Sequence, residues 1–188
     1  MKLARRTWFG QFLGVGLDSF VFLDEFGATT QMQRTHGRAP RGVRVASKVP
    51  HGHWKVLSTI AAMTTRGIVC SATFDGATDT DTFLAFVGEA LVPSLRRGQV
   101  VVMDNLSPHK HPRVRDLVEG AGCRLLFLPP YSPDYNPIEQ AISKVKSALR
   151  SAACRDVALL FDAIADALAT ITTDDATAFM RHSGYTLR

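Results

Sequence analysis

Apolar positions fall into short unbroken runs in the first half of the chain and into helical stripes in the second. Phe20 to Leu23 is an aromatic and β-branched run that ends in the carboxylate Asp24, which suits a buried strand. Gln31 to Val45, with Gly37, Pro40 and Gly42, predicts a strand leading into a turn. Trp54 to Met63 and Ile68 to Phe74 read as two further strands joined by a hairpin turn at Thr64 to Gly67, and consecutive strands of this kind pair antiparallel. The period then changes. Asp79 or Asp81 can cap a helix running to Leu91, because Phe83, Leu84, Val87 and Leu91 recur at helical spacing. Val100 to Met103 is a buried strand that ends at Asp104-Asn105. A helix from Pro112 to Ala121 carries Val114, Leu117 and Val118 and leads into the strand Arg124 to Leu128.

The segment Pro129 to Pro137 holds four prolines, which fix φ and cannot continue a ladder, so it is a rigid loop. Asn136 is a good N-cap and Pro137 a good first helical residue for a helix whose apolar stripe is Ile138, Ile142, Val145 and Leu149. Two more helices follow, Val157 to Ile171 and Asp174 to His182. Strands in a meander followed by alternating helices and strands predict an α/β chain: a mixed sheet with helices on its faces.

Composition narrows the class. The 188 residues, 46% hydrophobic and 21% charged, have room for one core and are too apolar for a disordered chain. No apolar run approaches the roughly 20 residues that a membrane span needs. Cys70, Cys123 and Cys154 are odd in number and show no paired motif, and Trp8 to Leu17 makes a poor signal-peptide core, so the expectation is a cytoplasmic protein with free thiols. The net charge of +5 points to an anionic partner. It is unevenly placed: Gln31 to Lys55 carries six basic residues and no acidic one, whereas Asp156 to Met180 carries five aspartates and no Lys or Arg.

Three carboxylates stand where such a sheet keeps its chemistry. Asp24 ends the first strand, Asp104 ends a later one, and Glu139 lies in the first turn of the helix after the last strand. Converging, they would supply the hard oxygen ligands that Mg²⁺ prefers, as two-metal phosphoryl transfer requires. Each also has a local reading. Glu139, three residues after Asn136, could complete a capping box; Asp104 could form a turn with Asn105; Glu25, on the opposite strand face from Asp24, could compete with it. Arg38, Arg41 and Arg44 suit phosphate contact. Lys146 is almost two turns past Glu139 on the same face, and His109 and Lys110 follow Asp104 closely enough to touch a substrate.

Phe22-Leu-Asp24-Glu25, Val102-Met-Asp104-Asn105-Leu106 with His109-Lys110, and Leu128-Pro-Pro-Tyr-Ser-Pro-Asp-Tyr-Asn-Pro-Ile-Glu139 resemble the three catalytic blocks of mariner-type transposases and their bacterial insertion-sequence relatives (family 630). The 34 residues between Asp104 and Glu139 resemble that superfamily's Asp-Asp-Glu spacing, and Arg38 to Gly42 and His51 to Lys55 look like segments of the bacterial branch. Phe26, Pro108 and Ile142 depart from the pattern. The resemblance implies a ribonuclease H-like catalytic domain over residues 19–188, with 1–18 a remnant of the linker to an absent helix-turn-helix domain. It implies cleavage at transposon ends and strand transfer to target DNA, with Asp24, Asp104 and Glu139 holding two divalent cations, Mg²⁺ or Mn²⁺. The implied partners are double-stranded DNA, a second copy of the chain on that DNA, and a separate helix-turn-helix product of the same element. The rival reading is an inactive remnant that binds DNA or inhibits a full-length transposase.

Overall fold

The structure, a computed structural model, describes residues 2–46, 48 and 51–186. Strands β1 (Phe20–Thr29), β2 (Val56–Thr64), β3 (Gly67–Asp75), β4 (Val100–Met103) and β5 (Arg124–Phe127) form one open sheet in the order β3-β2-β1-β4-β5. β1 is antiparallel to β2 and parallel to β4, β2 is antiparallel to β3, and β4 is parallel to β5. The mixed α/β sheet with an antiparallel meander is therefore as expected.

Strand alternation divides the core in two. Phe20, Phe22 and Phe26 of β1 and Val100 and Val102 of β4 point to one face. There they meet Ile138, Ile142, Val145 and Leu149, the apolar stripe of α5 (Ile138–Ala152). Two further helices, α6 (Val157–Ala169) and α7 (Thr173–His182), complete this layer through Leu160, Ile164 and Met180. Val21 and Leu23 of β1 and Val101 and Met103 of β4 point the other way. They are covered by Phe83 and Phe86 of α2 (Thr80–Phe86) and by Val114 and Val118 of α4 (Pro112–Gly120). Asp79 caps α2, its carboxylate accepting the Thr82 amide. The chain winds on as a π turn over Val87–Leu91 into the short α3 (Val92–Ser94). The π turn stands just before Pro93, which has no amide to donate within a regular helix.

Two expectations are corrected here. The predicted strand at Gln31 to Val45 is absent: after a turn at Thr30-Gln31 the chain runs as exposed irregular backbone. Its basic side chains have no sheet partner to pair with, and Pro40 and Gly42 turn it back through the Val43 amide on the Pro40 carbonyl. Arg155 donates to the carbonyls of Thr30 and Met32 and so fixes the root of this arm. Secondly, Asp24 does not end its strand, since β1 runs on to Thr29 in its pairing with β2. The residues before β1 pack into the domain as well. After α1 (Lys2–Thr7), Trp8, Phe12 and Leu17 are 2%, 7% and 2% exposed and belong to the α5-side core. Trp8 donates from Nε1 to the Tyr185 hydroxyl at 3.0 Å, joining the two ends of the chain.

Among the described residues no helix is long and apolar enough to cross a membrane. Cys70, Cys123 and Cys154 are free thiols.

Trp8→Ala is expected to remove about 3–5 kcal/mol, as large-to-small changes at buried aromatic sites do, and to lower Tm by roughly 6–20 °C for a chain of this size. Thermal unfolding followed by circular dichroism checks this. An unchanged melt would mean that residues 8–18 are an appendage to the domain.

Candidate active site

The pairing of β1 with β4 runs from Phe20↔Val100 to Phe22↔Val102 and goes no further. Asp24 and Asp104 each lie two residues past that last rung: Asp104 directly follows β4, and Asp24 is in the middle of β1, still paired with β2 but beyond the end of β4. Both have the parity of Phe22 and Val102, so they emerge on the face that α5 covers. This is the place where the chain order reverses across the sheet, and open α/β sheets form their crevices there. Glu139 joins from the first turn of α5. Asp24, Asp104 and Glu139 line one cavity of about 550 Å³ together with Asn105, Leu106, Lys110, Asn136 and residues of the Pro129–Pro133 loop.

Each aspartate is held by side chains that the sequence reading assigned otherwise. Asp24 accepts the Glu25 amide at 2.8 Å on one oxygen and the Asn136 side-chain amide at 2.8 Å on the other. Asn136 therefore does not cap α5 with its side chain, and the capping-box alternative for Glu139 is not formed, since α5 has no side-chain cap. Asp104 accepts the Leu106 amide at 3.0 Å, so the local turn does form, and it also meets His109 Nδ1 at 2.5 Å. His109 is fully buried, with Nε2 3.1 Å from the Glu25 carboxylate and its ring 4.2 Å from that of Phe83. Its expected contact with DNA is thereby corrected: both ring nitrogens serve carboxylates and the ring faces inward. Glu25, on the opposite face from Asp24, is tied to the site through this ring. The signal that could have found the bridge is a histidine five residues after a strand-end aspartate, with a second acid beside the first.

Burial pushes the Asp24 carboxyl up to about 7, and the negative charges of Glu139 and Asp104 push in the same direction. Burial would lower the His109 pKa, but its hydrogen bonds to Asp104 and Glu25 prevail and raise it to about 9. Burial would raise Asp104, yet the His109 and Leu106 hydrogen bonds hold it below the ordinary carboxylate value. At neutral pH the site thus holds a protonated imidazole between two carboxylates, with a third carboxyl poised between its charged and neutral forms.

This donor set fits a hard divalent cation. It offers carboxylate oxygens, it penalises the charged form of Asp24 when no cation is near, and it contains the buried Asn136 Oδ1 without a hydrogen-bond partner. Among the described residues no three His, Cys, Asp or Glu side chains are already gathered as a ready-made cage. Like charges repel, which explains why the carboxylates stand apart. Lys110 is exposed on the rim, Arg38, Arg41 and Arg44 are exposed along the irregular arm, and Lys146 is half-buried on α5.

The chain resembles the solved "Mos1 mariner paired end complex with Mn" with a TM-score of 0.77 and 15% identity, over 97% of this chain and 59% of that one. It resembles the "mariner Mos1 paired end complex with Mg" with a TM-score of 0.76 and 14% identity, over 97% of this chain and 58% of that one. Against the "Mos1 transposase catalytic domain and Raltegravir with Mg" the TM-score is 0.67 at 14% identity, over 97% of this chain and 89% of that one. The chain thus spans under two thirds of the chains in the paired-end complexes and nearly all of the catalytic domain, whose ribonuclease H-like fold it shares. No curated protein matches. A family model described as "DDE superfamily endonuclease" matches residues 19–160, which include all three carboxylates and more than half of the chain, and the chain belongs to that family.

Proposed function

We propose that this chain is the catalytic domain of a bacterial insertion-sequence transposase, which cuts DNA at the element's ends and joins the freed 3′ hydroxyl to target DNA. The observation that carries the reading is the convergence of Asp24, Asp104 and Glu139 on one cavity where the β1–β4 ladder ends, within a chain of the endonuclease family. Asp24, Asp104 and Glu139 would hold two divalent cations, Mg²⁺ or Mn²⁺. Such cations, when bound, activate the attacking oxygen and stabilise the leaving oxygen of a phosphodiester.

The protein's own groups prepare the site. His109 holds Asp104 by one nitrogen and Glu25 by the other, which fixes the direction of the Asp104 carboxylate without using up both of its oxygens. Asn136 and the Glu25 amide fix the direction of the Asp24 carboxylate, one on each oxygen. Hydrogen-bonded partners of this kind orient ligands before a cation arrives. Lys110 stands at the cavity wall, where it can meet the phosphate. Arg38, Arg41, Arg44 and Lys146 would contact the DNA backbone on either side, which would give salt-dependent affinity without sequence information. The partner on this reading is double-stranded DNA carrying a second copy of the chain, with a helix-turn-helix segment supplying recognition of the element's end.

Nicking of supercoiled plasmid by the purified chain with Mg²⁺ or Mn²⁺ is expected, and EDTA should abolish it. Asp24→Asn, Asp104→Asn and Glu139→Gln should each lower the rate by at least about a hundredfold, more than the loss typical of a residue that only supports a ligand. Nicking that survives these substitutions would refute the assignment of the triad, and a folded wild-type chain that binds DNA but never nicks would favour the inhibitory remnant.

His109→Asn is expected to weaken Mn²⁺ binding about 10–100-fold in isothermal titration. Because the folded chain binds the imidazole proton more tightly than the unfolded chain, the contribution of the charged ring is complete below pH 6.5 and is lost as pH rises through about 9. In cation-free buffer the wild type should therefore lose more stability across that window than His109→Asn, which keeps only the smaller loss from Asp24 near pH 7. Parallel urea-unfolding curves for the two proteins would show that His109 is neutral in the fold.

A further inference from the structure

Among the described residues only Tyr131 and Ala153 are non-glycine residues in the left-handed backbone region, with φ of 55° and 50°. Ala153 ends α5, where that conformation is common. Tyr131 ends no helix. It sits in the proline-rich loop after β5, its side chain is apolar and large, and it is 84% exposed. A bulky residue in this conformation is disfavoured unless its surroundings impose it, and such strain gathers at functional positions.

The surroundings do impose it. Pro129 and Pro130 precede the residue and Pro133 follows soon after, so the flanking φ angles are fixed. Ser132 is 4% exposed, and its hydroxyl donates to the Pro130 carbonyl at 3.3 Å. Arg5 reaches over from α1 and donates to the Tyr131 carbonyl at 3.3 Å, to the Ser132 hydroxyl at 2.7 Å, and to both carboxylate oxygens of Asp134 at 2.9 and 2.6 Å. Its guanidinium lies 4.3 Å from the centre of the Tyr135 ring. The backbone of Tyr131 is thus clamped from two sides while its ring is left in solvent.

The ring also stands at a telling place. Tyr131 lines the same cavity as Asp24, Asp104 and Glu139, and so does Leu106, a second exposed apolar side chain (51%), which follows β4. Lys110 supplies a positive charge on the same wall. An exposed aromatic face beside a phosphate-sized acidic site, with a cation within the same cavity, matches the chemistry of an unpaired nucleotide: a flat base to stack and a charged backbone to hold.

Accepting the DNA-cutting reading above, we propose that Tyr131 is a stacking platform for an unpaired nucleobase next to the phosphodiester under attack, and that the strained loop holds its ring out for that purpose. The site then favours DNA that is frayed or forked at the reacting position over fully paired DNA. Stacking needs a ring and has no need of the hydroxyl.

The test is equilibrium binding of the full chain, by fluorescence anisotropy, to a paired duplex and to the same duplex with an unpaired two-nucleotide fork. A parallel fork carries 2-aminopurine at the unpaired position, whose emission is quenched when it stacks. Wild type, Tyr131→Phe and Tyr131→Trp should prefer the fork and quench the probe. Tyr131→Ala should lose about tenfold in affinity for the fork, with a smaller fall on the duplex, and should not quench. Tyr131→Gly, which suits the left-handed backbone, should melt no lower than wild type and yet behave like the alanine variant, which separates the ring's role from a structural one. An equal preference for the fork in all variants, or no quenching by a wild type that binds DNA, overturns the stacking role and leaves the endonuclease reading standing. A wild type that binds neither DNA overturns both.

Discussion

The pairing of β1 with β4 decides where the chemistry can be. The two strands are parallel, the ladder stops at Phe22↔Val102, and β1 runs on past the end of β4. Beyond that rung, strand alternation sends Asp24 and Asp104 to the α5 side and Glu25 to the other. A slip of one residue in this register would turn one aspartate into the opposite layer, among Phe83, Val87 and Val114, where it would meet no partner carboxylate. The apolar residues of the two faces are therefore what fixes the register, and the register is what places the acids. Core packing and site geometry are one constraint.

That placement has an electrostatic consequence. Asp24, the most enclosed of the three acids, has a raised pKa, from its burial first and then from the charges of Glu139 and Asp104, whereas His109 and the Leu106 amide hold Asp104 low. The fold answers with the His109 imidazolium between Asp104 and Glu25 rather than with a lysine or arginine. A compact ring with two opposed nitrogens can bridge two layers of the sheet edge while remaining wholly buried. It leaves the second oxygen of Asp104 free, as a bidentate guanidinium would not. The Asn136 amide takes one oxygen of Asp24 and carries no charge at all. The imidazolium offsets one acidic charge and the Asn136 amide offsets none, so carboxylate oxygens remain for a cation.

How much of this was legible in the sequence depended on whether the cause was local. Val100–Met103 was read at its true bounds because four consecutive apolar residues buried on both faces leave little choice. The stripe of α5 and the Asp79 cap were equally local. The arm after Thr30 was misread as a strand, since a strand needs a neighbour and the sequence cannot show that none is there. Trp8, Phe12 and Leu17 follow no helical or strand period, and their burial comes from partners such as Tyr185, which is 177 residues from Trp8. Asn136 has good capping chemistry, yet its amide goes to Asp24, 112 residues away. His109 followed the same rule in part: charge and loop position suggested the surface, while Asp104, five residues before it, and Glu25, 84 residues away, drew it inside. The three acids were legible because each lies inside a recognisable block, although Asp24 turned out to be in the middle of its strand rather than at its end.

The same reasoning explains why both ends of the chain converge on one loop. Glu139 sits on a well-packed helix, but the loop that delivers the chain into that helix has few apolar contacts of its own and crosses the site's rim. Prolines limit its freedom but do not fix where it lies. Arg5 grips Ser132 and Asp134 from one end of the chain, and the Tyr185 hydroxyl donates to the Tyr135 carbonyl at 2.9 Å from the other, while Phe9 packs edge-on against both Tyr135 and Tyr185. The loop is thereby positioned by elements outside the sheet. Arg5 thus ties α1 to the loop that leads into Glu139, and the rim of the site depends on packing outside the sheet as well as on the strands.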